Sequence, residues 1–162
     1  ERADTATTAD AWEVLGTRLA TQFSNNIRNN FGFLNRSEDS DPNARDKTFR
    51  QEGRKVFKEV VPIAAAHIEG HLSDLGHAPS AVRRYWLHQA NQGMNQLVIK
   101  KLAGDASADL APLILDEFAN TASAGSIIAF HKHRADLAAG DVGVICSFGA
   151  GYSVGSVVLR KR

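Results

Sequence analysis

The sequence has few of the features that disulfide-stabilised, membrane-spanning or nucleic-acid-binding proteins depend on. Its 162 residues include one cysteine, Cys146, which excludes a disulfide within the chain and favours a reducing, cytoplasmic compartment. No run of residues reaches the roughly 18 apolar positions of a membrane-spanning helix, so we expect no membrane partner. The formal net charge is only +1, which argues against nucleic acid as a partner.

What the sequence does contain is enough for one globular domain. The 162 residues are 43% hydrophobic and 23% charged, so we expect a single domain, 1–162, with a substantial core. The chain starts at Glu1 without an initiator methionine, and we expect it to be a fragment or a processed piece. Residues 22–50 form a long polar insertion around one apolar cluster, Phe31 to Leu34. Such a segment is either a solvated loop with a hydrophobic latch or a lid or wall of a substrate channel.

Apolar periodicity predicts strands that alternate with helices. Trp12 to Thr21 is typical of a half-buried strand, and Gln51 to Leu75 has the strongest helical pattern. Pro62 removes a backbone donor inside that pattern, so we expect a kink or two abutting helices. The other predicted strands are 85–88, 113–116, 142–148 and 154–159, and the other predicted helices are 92–102 and 124–135. The sequence thus predicts an α/β fold, a mixed five-stranded sheet with helices packed on it.

Two polar stretches follow predicted strands and open predicted helices. The first, Tyr-Trp-Leu-His-Gln-Ala-Asn, contains His88, and the second, Asn-Thr-Ala-Ser-Ala-Gly-Ser, starts at Asn120. Ligands enter α/β sheets at such strand-to-helix junctions. An imidazole and a carboxamide aimed at one point can both donate hydrogen bonds to an oxygen that becomes negative during a reaction. His88 and Asn120 are therefore the candidate catalytic pair, although a lone histidine at a strand end is more often a satisfied core residue.

A glycine-rich turn separates the last two predicted strands. Gly149, Ala150 and Gly151 offer backbone N–H groups without bulky side chains, which suits an oxyanion hole. The same residues equally suit a plain hairpin turn, and both interpretations remain open at this point.

Four motifs in this order resemble one known family. They are Gly-Arg-Lys-Val-Phe-Lys from Gly53, His-Gln-Ala-Asn from His88, Ala-Asn-Thr-Ala-Ser-Ala-Gly-Ser from Ala119, and Phe-Gly-Ala-Gly-Tyr-Ser-Val-Gly-Ser from Phe148. From about Arg50 onward, the chain is similar to the C-terminal half of 3-oxoacyl-[acyl-carrier-protein] synthase III, a thiolase-fold condensing enzyme of fatty-acid biosynthesis. One short motif would be weak evidence, but four in sequence are specific.

The resemblance implies a decarboxylative Claisen condensation that needs no cofactor. In that family a cysteine takes the acyl group from acyl-CoA, and malonyl-ACP then loses carbon dioxide and attacks the acyl-enzyme. His88 and Asn120 match the family's catalytic histidine and asparagine, which hold the malonyl thioester oxygen as the enolate forms. The backbone N–H of Ala150, or that of the neighbouring Gly149, matches the oxyanion donor for the acyl-cysteine carbonyl.

The resemblance also implies substrate-binding positions and partners. The residues that match the family's narrow pantetheine tunnel, shared by acyl-CoA and malonyl-ACP, are Gly53, Phe57, Asn91 and Met94. The residues that match its docking surface for the acidic acyl carrier protein are Lys58, Lys100 and Lys101. Lysines at a helix end are also typical of a plain solvated face. Because thiolase-fold relatives are commonly dimers, we expect a homodimer of the whole enzyme.

The family's nucleophilic cysteine belongs to the N-terminal half, which these motifs do not include. Cys146 stands in an apolar strand pattern, where a cysteine behaves as a small buried hydrophobe rather than as a reactive thiolate. We therefore expect this chain to be active only together with the N-terminal half of the same enzyme.

Other features of the sequence keep further interpretations open. His67 and His71 are four residues apart on a predicted helix, a spacing that can hold zinc, but no glutamate stands in the zinc-protease position, so a solvated helix face is favoured. One alternative function is a non-catalytic half-domain that binds acyl-CoA or acyl carrier protein as a scaffold. Another is a hydrolase that works by itself through zinc or Cys146.

Overall fold

The computed structural model describes residues 10–28, 41, 43, 49–104 and 108–162. Within these residues the strands are β1 (Trp12–Thr21), β2 (Ile27–Arg28), β3 (Arg50–Gln51), β4 (Val82–Leu87), β5 (Val142–Gly149) and β6 (Ser153–Lys161). The α-helices are α1 (Gly53–Asp74), α2 (Gln92–Ala103), α3 (Leu115–Phe118) and α4 (Ala124–Lys132), with short 3-10 turns at Pro79–Ala81 and Ala108–Leu110.

The main sheet has the strand order β1-β6-β5-β4. Strands β1 and β5 run antiparallel to β6, whereas β4 runs parallel to β5 and pairs Leu87 with Cys146 at its end. Because parallel strands end at the same edge of a sheet, the residues that follow β4 lie beside the last residues of β5. The mixed sheet with packed helices confirms the predicted α/β class.

Helix α1 lies along one face of the sheet because its apolar residues recur on one side. Val60, Ile68 and Leu72 are completely buried, and α2 packs beside α1 over the same core. The helix runs unbroken through Pro62, so the predicted alternative of two abutting helices is wrong. It ends at Asp74, and Gly76 just beyond it has a φ of +74°, which is accessible to glycine without strain.

The opposite face of the sheet carries an aromatic cluster beneath α4. The rings of Trp12, Trp86 and Phe130 meet edge to face, with centroids 4.9 to 5.8 Å apart. The indole N–H of Trp86 donates to the His133 carbonyl at 3.1 Å, which fixes the end of α4 against β4. This face therefore has its own small core, and α4 is held on it at a defined position.

The predicted strand at 113–116 is wrong, and the main sheet has four strands in the described residues rather than five. Ile114 is buried, but its backbone N–H donates to the side chain of Gln89 at 3.2 Å rather than to a neighbouring strand. The Pro112 carbonyl likewise accepts from the Gln89 side chain at 3.3 Å. Because a side chain takes the place of a strand partner, the segment passes directly into helix α3.

His67 and His71 do not form the solvated helix face that was predicted. They are 7% and 4% exposed, and both contact the Ser156 hydroxyl of β6, His67 Nε2 at 3.0 Å and His71 Nδ1 at 2.7 Å. The four-residue spacing places both imidazoles on the buried side of α1, where the Ser156 hydroxyl contacts one nitrogen of each ring. They are structural residues that join α1 to the sheet.

The two ends of the predicted insertion are joined. Strand β2 pairs antiparallel with β3, with Ile27 opposite Gln51 and Arg28 opposite Arg50. The apolar cluster from Phe31 to Leu34 lies outside the described residues. The role of 22–50 as a lid or channel wall therefore stays a prediction.

The two buried imidazoles predict a loss of stability in acid. Burial, with the nearby Arg18 guanidinium, lowers the pKa of His67 and of His71 from 6.5. In acid the unfolded chain then binds more protons than the folded one. The contribution of the two imidazoles to the free energy of unfolding is therefore fully present above pH 6.5 and decreases as the pH falls below it. Urea denaturation at pH values from about 5 to about 8, a range that brackets the ordinary histidine pKa, measures the effect.

A matched pair of variants isolates the source of this acid sensitivity. His71→Asn is expected to reduce the pH dependence, because it removes one of the buried imidazoles whose pKa is lowered. His131→Asn changes an exposed histidine on α4 and serves as the matched control. The same pH profile in both variants would contradict the assignment.

Candidate functional site

His88 lies directly after the end of β4 and is nearly buried. Its ring packs against that of Phe148, with centroids 4.6 Å apart, and the residue is 8% exposed. Burial lowers the pKa of the imidazole, so the ring is neutral near pH 7 and has one N–H to donate. Nδ1 is buried without a hydrogen-bond partner in the described part of the chain. A neutral imidazole in this state is suited to donating a hydrogen bond to a substrate oxygen.

Asn120 stands in a sharply turned segment between α3 and α4. Its neighbours Ala119 and Ala122 have left-handed φ values of 53° and 54°, a conformation that alanine rarely adopts. The exposed Asn120 accepts the backbone N–H of Ala122 through Oδ1 at 3.0 Å. Because Oδ1 accepts this bond, the carboxamide can offer its Nδ2 as a donor elsewhere.

Hydroxyl contacts bring the Asn120 segment to the end of β4. Ser147 on β5 lies one position beyond the last β4–β5 pair, at the level of His88. Its hydroxyl oxygen is 2.7 Å from that of Ser126 and donates to the Ser123 carbonyl at 3.3 Å. The structure therefore places the stretch that starts at Asn120 beside the stretch that contains His88.

Gln89 is a residue of this site that the sequence analysis missed. It is 0% exposed, and besides the bonds to Pro112 and Ile114 its amide donates to the Leu87 carbonyl at 2.9 Å. Gly125 of α4 comes so close that a Cβ added there would be 2.8 Å from Gln89 Cβ. Gln89 thus contacts the end of β4, the segment before α3 and the start of α4. The available signal was its position inside the His-Gln-Ala-Asn motif.

The glycine turn adjoins His88 through Phe148. Gly149 follows Phe148 directly, and a Cβ added at Gly149 would meet nothing within 4 Å, so the space beside its Cα is open. Gly149 also pairs with Ser153, which confirms that the turn connects a hairpin. Whether the N–H groups of Gly149 and the exposed Ala150 bind an oxyanion stays a prediction.

The residues predicted to line a pantetheine tunnel divide into two groups. Gly53 and Phe57 line an open cavity of about 370 Å³ at the start of α1, and Phe57 also lies near Gly93 at the start of α2. Asn91 instead caps α2, because its Oδ1 accepts the backbone N–H of Met94 at 3.2 Å. Met94 is 6% exposed and belongs to the main core. The cavity beside Phe57 is therefore the candidate binding surface on this side.

The three lysines predicted to dock a carrier protein lie at two places. Lys58 lines the cavity beside Phe57. Lys100 and Lys101 are exposed in the last turn of α2, and Lys100 lines a separate cavity of about 940 Å³ near the start of β4. The two cavities share no lining residue. A docking partner would have to contact both the start of α1 and the end of α2 to reach all three lysines.

Cys146 has the buried position that its sequence context predicted. It is 1% exposed, and burial raises the pKa of its thiol to about 12. In the described part of the chain, no three or more His, Cys, Asp or Glu side chains come together as a metal site. A buried thiol with a raised pKa is not suited to act as a nucleophile. No helix among the described residues has the length and apolar character needed to cross a membrane.

Comparison with known proteins identifies close relatives. Residues 72–161 match the family described as 3-oxoacyl-[acyl-carrier-protein (ACP)] synthase III C terminal. The chain is 59% identical to a beta-ketodecanoyl-[acyl-carrier-protein] synthase of Pseudomonas aeruginosa, over 100% of this chain and 47% of that protein. It is 33% identical to a beta-ketoacyl-[acyl-carrier-protein] synthase III of Gloeobacter violaceus, over 72% of this chain and 36% of the relative. The chain thus spans less than half the length of these relatives.

Solved structures show the same fold. A 3-oxoacyl-(acyl carrier protein) synthase III of Pseudomonas aeruginosa superposes with a TM-score of 0.74 at 25% identity, over 96% of this chain and 46% of that chain. The synthase III of Aquifex aeolicus gives a TM-score of 0.75 at 22% identity, over 95% of this chain and 46% of that chain. These likenesses confirm the predicted thiolase-like half.

Replacing Gly125 with alanine is expected to displace α4 from Gln89. The new methyl would lie 2.8 Å from Gln89 Cβ, an atom that cannot rotate away. The overpacking should lower the free energy of unfolding by about 1–3 kcal/mol, measured by urea denaturation of the full-length protein. Gly155→Ala is the matched control, since its methyl would come no closer than 3.6 Å to a neighbour. Equal losses in the two variants would contradict the importance of this close contact.

Proposed function

The chain belongs to the 3-oxoacyl-[acyl-carrier-protein] synthase III C-terminal family, and from this membership we propose that it is the C-terminal half of a condensing enzyme. The enzyme joins an acyl group from acyl-CoA to malonyl-ACP in fatty-acid biosynthesis and uses no cofactor. Residues 1–162 form this half, with 22–50 as an insertion beside the substrate path. The chain acts together with the N-terminal half of the same enzyme, in a cytoplasmic homodimer of the whole protein.

One observation carries this proposal: a neutral imidazole donor and a carboxamide segment meet at the shared end of β4 and β5. His88 is buried against the residue before the glycine turn, and burial lowers its pKa. The stretch beginning at Asn120 is held there by Ser147 and by the contact between Gly125 and Gln89. Donors without a strong base are what a decarboxylation needs, because negative charge develops on the thioester oxygen.

The proposed reaction has two stages. First, a cysteine thiolate on the N-terminal half attacks the acyl-CoA thioester carbonyl, and the backbone N–H groups at Gly149 and Ala150 stabilise the oxyanion until the CoA thiolate leaves. Second, malonyl-ACP loses carbon dioxide, and the electron pair of the broken C–C bond forms an enolate held by His88 and Asn120. The enolate carbon then attacks the acyl-cysteine and releases the cysteine thiolate.

Substrate delivery is assigned to the face that carries the start of α1. The cavity beside Phe57 would admit the pantetheine arm, with Gly53 leaving its mouth open. Asn91 and Met94 would support the wall of this cavity from α2, because Asn91 caps that helix and Met94 anchors it in the core. The lysines that would attract the acidic carrier protein are Lys58, Lys100 and Lys101.

Removal of either proposed donor should impair decarboxylation selectively. In the full-length enzyme, His88→Ala or Asn120→Ala is expected to reduce malonyl-ACP decarboxylation by about two orders of magnitude or more. Acyl transfer to the nucleophilic cysteine, followed by the mass of the acyl-enzyme, should survive better. Decarboxylation at the wild-type rate in both variants would refute the assignment. A wild-type protein that binds malonyl-ACP yet forms no 3-oxoacyl product would favour the scaffold alternative.

Charge reversal at the end of α2 should affect carrier-protein substrates more than CoA substrates. Lys100→Glu combined with Lys101→Glu is expected to raise the KM for malonyl-ACP and to reduce its dependence on ionic strength. The KM for acyl-CoA serves as the internal control. Equal increases for both substrates would count against carrier docking at these lysines.

A further inference from the structure

One carboxylate on α1 joins two segments that are far apart in the sequence. Glu59 Oε2 accepts the Tyr152 hydroxyl at 2.7 Å and the side-chain N–H of Asn26 at 2.8 Å. Tyr152 is 1% exposed and comes directly after the glycine turn. Asn26 precedes β2, and its carbonyl accepts the backbone N–H of Glu52 at 2.8 Å. Glu59 therefore connects the turn, the start of α1 and the beginning of the 22–50 insertion.

Backbone hydrogen bonds strengthen the same connection. The N–H of Gln22 donates to the Tyr152 carbonyl at 2.7 Å, and the N–H of Ser24 donates to the Gly151 carbonyl at 2.5 Å. The outer side of the turn is thus covered by the first residues of the insertion. The turn cannot move without breaking these bonds or carrying residues 22–24 with it.

The charge on Glu59 suits this role. Hydrogen bonds from Tyr152 and then from Asn26 lower the pKa of the carboxyl, with a smaller contribution from the Lys55 ammonium. The group is therefore ionised at neutral pH, and hydrogen bonds to a charged acceptor are stronger than those between neutral groups. The proposed roles of His88 and Asn120 do not need a carboxylate at this position, so Glu59 calls for a role of its own.

We propose that Glu59 is a positioning residue which, through Tyr152, holds the Gly149–Gly151 turn in the geometry that acyl transfer requires and, through Asn26, fixes the insertion to that turn. The inference rests on the proposed function, because it gives the turn its role as the oxyanion site. It adds a residue of α1 that touches neither substrate nor the reacting atoms. It also couples residues 22–26 to the turn, so that they move together.

The proposal predicts a kinetic signature opposite to that of the catalytic pair. The turn serves the acyl-cysteine carbonyl, whereas His88 and Asn120 serve the malonyl oxygen. Loosening the turn should therefore slow acyl transfer from acyl-CoA while malonyl decarboxylation is retained. A residue needed only for stability would lower both rates together, in proportion to the loss of folded enzyme.

The test uses Tyr152→Phe, Glu59→Gln and their combination in the full-length enzyme. Each single change is expected to reduce kcat for acyl transfer by about tenfold, the size expected for one charge-assisted hydrogen bond. The double variant should lose no more than the worse single variant, because both changes act on the same bond: Tyr152→Phe removes its donor, and Glu59→Gln removes the charge of its acceptor. Losses that multiply in the double variant, or no loss in either single variant, would overturn the proposal.

Matched controls separate positioning from general damage. Glu69→Gln neutralises another exposed carboxylate on α1. Tyr85→Phe removes the hydroxyl of another buried tyrosine, which donates to the Pro79 carbonyl at 2.8 Å. Both are expected to retain the ratio of acyl transfer to decarboxylation of the wild type. The same selective loss of acyl transfer in these controls would contradict a specific role for Glu59.

Amide hydrogen exchange gives a second readout that does not need catalysis. Glu59→Gln and Tyr152→Phe should both increase exchange in residues 22–26 and 149–152, and Glu69→Gln should not. Unchanged exchange in these residues refutes the connection even if the enzyme condenses as proposed. Faster exchange with an unchanged acyl-transfer rate refutes the positioning role. If the wild type forms no 3-oxoacyl product, the proposed function fails, and the exchange data alone then decide whether the connection exists.

Discussion

The arrangement of the candidate site depends on the buried carboxamide of Gln89. It bonds to Leu87, Pro112 and Ile114, and it supports Gly125 at the start of α4. A buried amide left without partners costs roughly 1–3 kcal/mol, so these bonds strongly favour one arrangement of the segments. Gln89 acts in place of a neighbouring strand and leads the chain into α3 and the turn at Asn120. The neighbour of the candidate histidine thus contacts the segments on both sides of the turn that contains Asn120.

The two faces of the sheet carry separate groups of residues. On one face, α1 and α2 carry the main core, the cavity beside Phe57 and the carboxylate of Glu59. On the other face, α4 covers the aromatic cluster of Trp12, Trp86 and Phe130 and follows the turn at Asn120. The parallel ends of β4 and β5 are where the two meet. In the proposed function, substrate binding on one face and charge stabilisation on the other would therefore converge at this edge.

Local pattern predicted much of this correctly. The four-residue recurrence of apolar residues in α1 and the apolar run around Cys146 anticipated a helix and a buried strand, because both reflect a short-range period. Pattern failed where a distant group decided the outcome. Residues 113–116 look like a strand until Gln89 takes their hydrogen bonds, and His67 and His71 look solvated until Ser156 reaches them. In each case the deciding partner is at least 23 residues away.

By itself, the sequence determined the α/β class, the candidate pair His88 and Asn120, and the family resemblance carried by four motifs. Each of these depends on residue types at short spacings, which a linear reading preserves. Only the tertiary structure decided that Gln89 joins the two motifs and that Glu59 joins the glycine turn to the insertion. The physical reason is that a hydrogen bond depends on distance and direction in space. Tyr152 and Glu59 are 93 positions apart in the chain, yet their oxygens lie 2.7 Å apart.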